Sequence, residues 1–182
     1  HILAMPRVVL TGGPGAGKTT LLLHLAGLGY TTVPETARAI IAERLARGLP
    51  PRPSPIEFAQ EALRRDQDKY HTNSRNDSFV FFDRSALESL AMVHDAQPLQ
   101  AQELAALVSR FKFHPQVFVL PPWQAIYTVD AERDHSFEHA KRVHESLCQW
   151  YAKLGYFLQT VPFGSVKVRA TFVLRRLAES DA

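Results

Sequence analysis

The stretch Gly12-Gly13-Pro14-Gly15-Ala16-Gly17-Lys18-Thr19-Thr20 brings together the residue types that hold a phosphate chain. Gly12, Gly17, Lys18 and Thr19 meet the spacing G-x-x-x-x-G-K-[ST], in which glycines let successive backbone N–H groups turn toward one anion. Lys18 adds a point charge for the outer phosphates, and the Thr19 hydroxyl is a ligand for the Mg2+ that accompanies ATP. An apolar run, Val8-Val9-Leu10-Thr11, precedes the loop and Leu21-Leu22-Leu23 follows it, so the loop joins a strand to a helix. The N-terminus of that helix contributes partial positive charge and unpaired amides. Gly12 to Thr20 is therefore the expected nucleotide cradle.

Phosphoryl transfer needs further groups: a carboxylate for the metal, cations around the migrating phosphoryl, and something to orient the attacking oxygen. The sequence sets an acid just beyond each of two apolar runs. Asp83 closes Phe79-Val80-Phe81-Phe82 and is the expected Mg2+ ligand beside Thr19. Glu35 follows Val33-Pro34 and is the candidate base. Both have plainer readings, Asp83 as the N-cap of a helix near Ser85 and Glu35 as a favourable charge at a helix start. Arg84 would share the cleft with Asp83, and Arg133 lies in a polar segment able to close over ATP and present a cation to the transferring phosphate. For Arg133 the alternative is a surface pairing with Asp130 or Asp134. Lys18, Glu35, Asp83, Arg84 and Arg133 form the expected catalytic set. Arg38, Trp123 and Tyr127 join Glu35 and Arg84 as expected acceptor contacts, while Phe58 and Tyr70 are aromatic residues open to either stacking or packing.

These groups meet only if strands and helices alternate around a parallel sheet, whose carboxyl ends then collect the ligand. The pattern predicts strands at Arg7–Thr11, Tyr30–Val33, Ser78–Asp83, Val117–Leu120 and Tyr156–Val161. Helices are predicted over Lys18–Leu28, Thr36–Arg47, Ser54 to about Asn73, Ser85–His94, Gln100–Phe111 and Ser136–Leu154. In the last of these, Phe137, Ala140, Val143, Leu147, Trp150, Tyr151 and Leu154 fall on one stripe. His135, His139, His144 and Cys148 invite a zinc reading, but at about 100° per residue the two i,i+4 pairs fall on opposite faces, which argues against a shared metal.

Composition narrows the class. With 182 residues, 46% hydrophobic and 21% charged, the chain reads as one globular domain over residues 5–182, with a lid segment at about 129–142. His1-Ile2-Leu3-Ala4 reads as a cloning remnant ahead of Met5. The formal charge is +3 without a basic block, which argues against a nucleic-acid surface and fits a small phosphorylated ligand. A single cysteine, Cys148, and the lack of a membrane-length apolar run or a secretion signal point to the cytoplasm.

Gly12 to Thr19, Pro34-Glu35-Thr36-Ala37-Arg38, Asp83-Arg84-Ser85, and Asp130-x-x-Arg133 followed by the Tyr151 to Tyr156 stretch together resemble the small AAA-type predicted ATPases grouped with the nicotinamide riboside kinase domain, from Met5 to Leu177. Asp83-Arg84-Ser85 is also similar to the triplet of deoxynucleoside kinases, although the tryptophan that usually follows their glutamate is missing here. The resemblance implies a P-loop three-layer α/β sandwich with a parallel sheet of order 2-3-1-4-5, ATP and Mg2+ as cofactors, Glu35 as base, Asp83 on the metal, Arg84 near the acceptor and Arg133 in a lid. The expected activity is transfer of the ATP γ-phosphate to a small nucleoside- or nucleotide-like acceptor. A nucleotide-dependent switch that binds a partner protein needs the same loop and is the alternative. A kinase of nucleic-acid 5′ ends would need a basic groove, and a ring-forming motor would need a helical domain after the fifth strand.

Overall fold

The computed structural model describes residues 5–13, 15–73, 78–126 and 136–180. Pro14, Tyr127 and Arg133, named above as site residues, lie outside them, as does the lid segment up to residue 135.

Five short strands form one parallel sheet: β1 (Arg7–Thr11), β2 (Thr31–Val33), β3 (Val80–Asp83), β4 (Gln116–Val119) and β5 (Phe157–Thr160), in the order β2-β3-β1-β4-β5. Expected and observed orders agree. The continuous apolar runs of β1 and β3 are explained by helices on both faces, because alternate side chains of a strand point to opposite sides. On one face Val8, Leu10 and Phe81 pack with Leu21 and Leu25 of α1 (Lys18–Gly27) and with Val173 and Leu177 of α7 (Val166–Ser180). On the other, Val9, Val80 and Phe82 pack with Tyr70 of α3 (Pro55–Thr72), Leu87 of α4 (Ala86–Ala96) and Tyr151 of α6 (Phe137–Lys153). Tyr70 is a packing residue, edge-on to Phe111 and Phe113 and under the Arg7 guanidinium.

Helix starts follow their capping residues. Ser54 accepts from the Glu57 amide with Pro55 in the first turn, Ser85 accepts from the Leu87 amide, and Ser136 accepts from the His139 amide. Two elements depart from the sequence reading. The helix expected to reach Phe111 ends early as α5 (Ala101–Val108), because Phe111 and Phe113 leave the helix to enter the core. The helix α7 was not anticipated. Its inward residues Arg169, Ala170, Val173 and Leu177 follow helical spacing, but a cation stands in the apolar stripe and breaks the pattern.

The register brings the chemistry to one edge. Leu10 pairs with Asp83 and Val33 with Phe82, so Glu35, Asp83 and the loop after Thr11 all emerge at the carboxyl ends of β2, β3 and β1. From the other side α6 presses on the same loop. A Cβ on Gly13 would lie 2.7 Å from the Ala140 carbonyl oxygen, so only glycine permits this approach. Gly13→Ala should therefore lower the unfolding free energy by about 1–3 kcal/mol. Urea titration measures it, and an unchanged midpoint would mean that α6 yields at no cost.

Candidate active site

At the carboxyl edge, the glycine loop, Glu35, Arg84 and α6 enclose a cavity of about 240 Å3. Its floor is Gly15, Ala16, Gly17, Lys18 and Thr19; its walls include Glu35, Arg38, Ile41, Arg52, Phe58, Arg84, Met92, His139 and Val143. One end is therefore a phosphate cradle and the other a half-apolar chamber. Thr20, also expected at the nucleotide, is exposed at the start of α1 and is not part of the lining.

Lys18 is buried with its Nζ 3.8 Å from Asp83 Oδ1. Burial holds the Lys18 pKa below its ordinary value, Arg84 adds to the effect, and Asp83 and Glu35 oppose it. Burial likewise raises Asp83 against the pull of Lys18. Asp83 does not cap α4, a role taken by Ser85, and its Oδ1 is buried without a hydrogen bond among the described residues. An orphaned carboxylate oxygen beside Lys18, with Thr19 in the cavity lining, is a donor set suited to a hard cation such as Mg2+.

Glu35 occupies the N-cap position of α2 (Thr36–Ala46) but makes no capping hydrogen bond. Its carboxylate turns to two arginines, with Oε1 3.4 Å from Arg84 Nε and Oε2 4.0 Å from Arg38 Nε. Burial alone would raise its pKa, but Arg84, Lys18, Arg38 and Lys69 together hold it below the ordinary carboxylate value. It is ionised at neutral pH. The turn that presents it is fixed from behind: Lys69 donates to the Pro34 carbonyl and to the Thr36 hydroxyl, both at 2.8 Å. Thr36 and Ser89 donate in turn to Asp66 of α3, a carboxylate raised by its burial.

Arg84 joins the parts. Its φ of 65° is left-handed, a strained conformation for a non-glycine residue, and it breaks β3 from α4 while sending the guanidinium back over the loop. Nη2 donates to the Gly12 carbonyl at 3.0 Å, and Nη1 lies 3.5 Å from Oε1 of Glu88. Glu88 is buried, accepting from Thr11 Oγ1 at 2.8 Å and from Tyr151 Oη at 2.7 Å. Ser85 Oγ lies 2.6 Å from the same tyrosine oxygen. Burial pulls Arg84 down, but Glu35, Glu88 and Asp83 more than offset it, so the guanidinium stays charged.

Glu88 was absent from the sequence reading, and Tyr151 was not among its site residues. Ser85-x-x-Glu88 has the spacing of a helix capping box, which hides an inward-turned acid, and Tyr151 read as an apolar residue of the α6 stripe. Arg169 was missed along with α7: it donates to the carbonyl of Ala16 at 2.8 Å and of Gly17 at 3.5 Å, behind the loop. Trp123 is not in the Glu35 chamber. It lies on the β4 side of the loop, its ring 5.0 Å from Phe163 and 5.7 Å from the Arg169 guanidinium. Phe58 does line the chamber. Of the histidines, His139 lines the cavity whereas His144 lies 3.8 Å from Cys148 Sγ.

A parallel 2-3-1-4-5 sheet with this loop after its central strand defines a P-loop α/β fold. Residues 7–169 match the family model described as AAA domain, and the chain belongs to that family. Among solved structures it is similar to deoxyadenosine kinase from M. mycoides, solved with dCMP and dCDP, at 15% identity and a TM-score of 0.65, covering 95% of this chain and 99% of the other. NadR in complex with NR gives 20% identity and a TM-score of 0.65 over 96% of this chain and 51% of its own. Thymidylate kinase from Candida albicans gives 12% identity and a TM-score of 0.58 over 97% and 92%. At these identities the likeness is one of fold. No curated protein sequence matches the chain.

Tyr151→Phe removes one hydroxyl that serves both Glu88 and Ser85, leaving buried polar atoms unpaired. The expected cost is about 1–3 kcal/mol of stability, read by chemical denaturation. A loss under about 0.5 kcal/mol would mean that water replaces the hydroxyl.

Proposed function

We propose that this protein is an ATP-dependent phosphotransferase that moves the γ-phosphate of ATP to a hydroxyl of a small nucleoside-like acceptor. One observation carries the reading: the phosphate cradle and the ionised Glu35–Arg84 pair line one cavity, which continues past them between Ile41, Phe58, Met92 and Val143. A nucleotide switch needs the cradle but has no use for a chamber beyond it. A hydroxyl acceptor explains the carboxylate, since an alcohol must lose a proton as it attacks. Fold likeness to nucleoside and nucleotide kinases supports the same class of reaction.

In this reading the loop amides and Lys18 hold the polyphosphate of ATP. Thr19 and Asp83 would hold Mg2+, which would supply positive charge to offset that of the phosphates. The acceptor stands in the chamber with its hydroxyl against Glu35, fixed in position by Arg84 and Arg38. Glu35 takes the proton as the oxygen attacks the γ-phosphorus, the bond to the β–γ bridging oxygen breaks, and ADP departs. Arg84 and Lys18 offset the negative charge spread over the transferring group. Phe58 gives the acceptor ring a flat wall. Trp123, set beside the loop with Phe163, is better placed for the base of ATP than for the acceptor. Arg133 of the lid segment and Tyr127 ahead of it remain proposed contacts, with the transferring phosphate and the acceptor respectively.

The test is turnover with Mg-ATP and a panel of nucleosides, nucleoside monophosphates and nicotinamide riboside, following ADP release and product mass together. An acceptor gaining one phosphate is the expected result. Lys18→Ala and Asp83→Asn should abolish transfer, whereas Glu35→Gln should lower kcat by about 100- to 10,000-fold with ATP binding retained. Full activity in Glu35→Gln would remove it as the base. ATP binding without acceptor-dependent turnover would favour the switch.

A further inference from the structure

Turning amides inward in a phosphate loop turns carbonyls outward, and the outward carbonyls at its C-terminal end face a buried cation. Arg169 of α7 is 4% exposed. Its Nη2 donates to Ala16 O at 2.8 Å and its Nη1 to Gly17 O at 3.5 Å, across 153 and 152 residues of sequence. The contact is tight: a Cβ on Gly17 would stand 2.7 Å from Nη1. Among the described residues Arg169 has no carboxylate partner, and its Nε is buried without a hydrogen bond. Arg84, the other arginine on this loop, is flanked by Glu35 and Glu88. Among the described residues Arg169 therefore places a positive charge behind the cradle with no carboxylate to balance it.

Such a charge is costly to bury in a resting protein, unless what enters the cradle is an anion that repays it. The guanidinium also pulls electron density through the Ala16 and Gly17 carbonyls, making the amides on the far side of the same peptides stronger donors. We propose that Arg169 is a positioning residue of the phosphate site, locking the Ala16–Gly17 peptides with their amides toward the polyphosphate and supplying part of the charge that holds it. This rests on the reading of the loop as a nucleotide site. It adds a specific role for α7, none of whose residues lines the cavity.

The experiment is calorimetric titration of the intact protein with MgADP, pyrophosphate and adenosine, with the thermal midpoint of the ligand-free protein recorded for each variant. Arg169→Gln keeps a donor for one carbonyl and removes the charge; Arg169→Lys keeps the charge and loses the fork. Arg169→Gln should weaken MgADP and pyrophosphate about tenfold or more and leave adenosine unchanged, with a ligand-free midpoint equal to or above the parent's, since an uncompensated buried charge has gone. Arg169→Lys should stay within about threefold of the parent, as expected of a charge effect. Equal affinity in Arg169→Gln, or a fall in the ligand-free midpoint with the ADP-induced shift preserved, would overturn the proposal and make Arg169 a packing residue. Failure of Arg169→Gln to fold would overturn it too. If the parent itself binds neither MgADP nor pyrophosphate, it is the nucleotide reading that falls.

Discussion

A loop that aims its amides at an anion must leave its carbonyls facing the protein, and in this molecule one half-buried and one buried guanidinium group meet them. Arg84 takes the Gly12 carbonyl at the front of the loop, and Arg169 takes Ala16 and Gly17 at the back. The two arginines come from opposite sides of the sheet, one following β3 and the other in α7. Neither could reach the loop without the parallel order that brackets β1 between β3 and β4. Placing the loop at the centre of the sheet is thus what gives it a cation on each flank.

The two flanks are balanced differently. On the β3 side, Glu35, Asp83 and Glu88 surround Arg84 and Lys18; their mutual attraction outweighs burial at Glu35 and Arg84, whereas burial still raises Asp83 and Glu88 and lowers Lys18. At an effective dielectric near 20, two unit charges about 4 Å apart interact by roughly 4 kcal/mol, enough to offset part but not all of such a cost. Hydrogen bonds from Thr11 and Tyr151 to Glu88 supply more of the balance. Through Tyr151 the network reaches α6, whose N-terminal turns line the cavity with His139 and Val143. A shift of α6 would therefore be felt at Arg84 by way of Tyr151 and Glu88.

How much of this was legible beforehand depended on whether a residue declares itself locally. Lys18, Glu35, Asp83 and Arg84 each follow an apolar run or sit in a glycine pattern, so a parallel sheet brings them to one edge. Glu88 could not be read in this way, because its spacing from Ser85 fits a helix cap equally well and only the tertiary structure turns it inward. Arg169 is concealed further: a lone arginine in the core stripe of a helix lowers the apolar signal by which that helix would be found. Trp123 was rightly located beyond a strand end, but sequence alone does not say which side of the loop that strand end adjoins.

The asymmetry of the two flanks is what gives the proposed reaction its direction. Carboxylates beside a phosphate loop repel a second anion but accept a proton, so the β2–β3 flank suits an alcohol entering against Glu35. The β4–α7 flank offers a cation and the paired rings of Trp123 and Phe163, which together favour a flat base joined to phosphates. A donor nucleotide bound on that flank would extend its terminal phosphate along the loop toward Lys18, where the chamber begins. The acceptor would then meet it from the opposite side of the loop, along the line that displacement at phosphorus requires. In the proposed reaction the strand order alone, by setting β3 and β4 on either side of β1, would separate the donor half from the acceptor half.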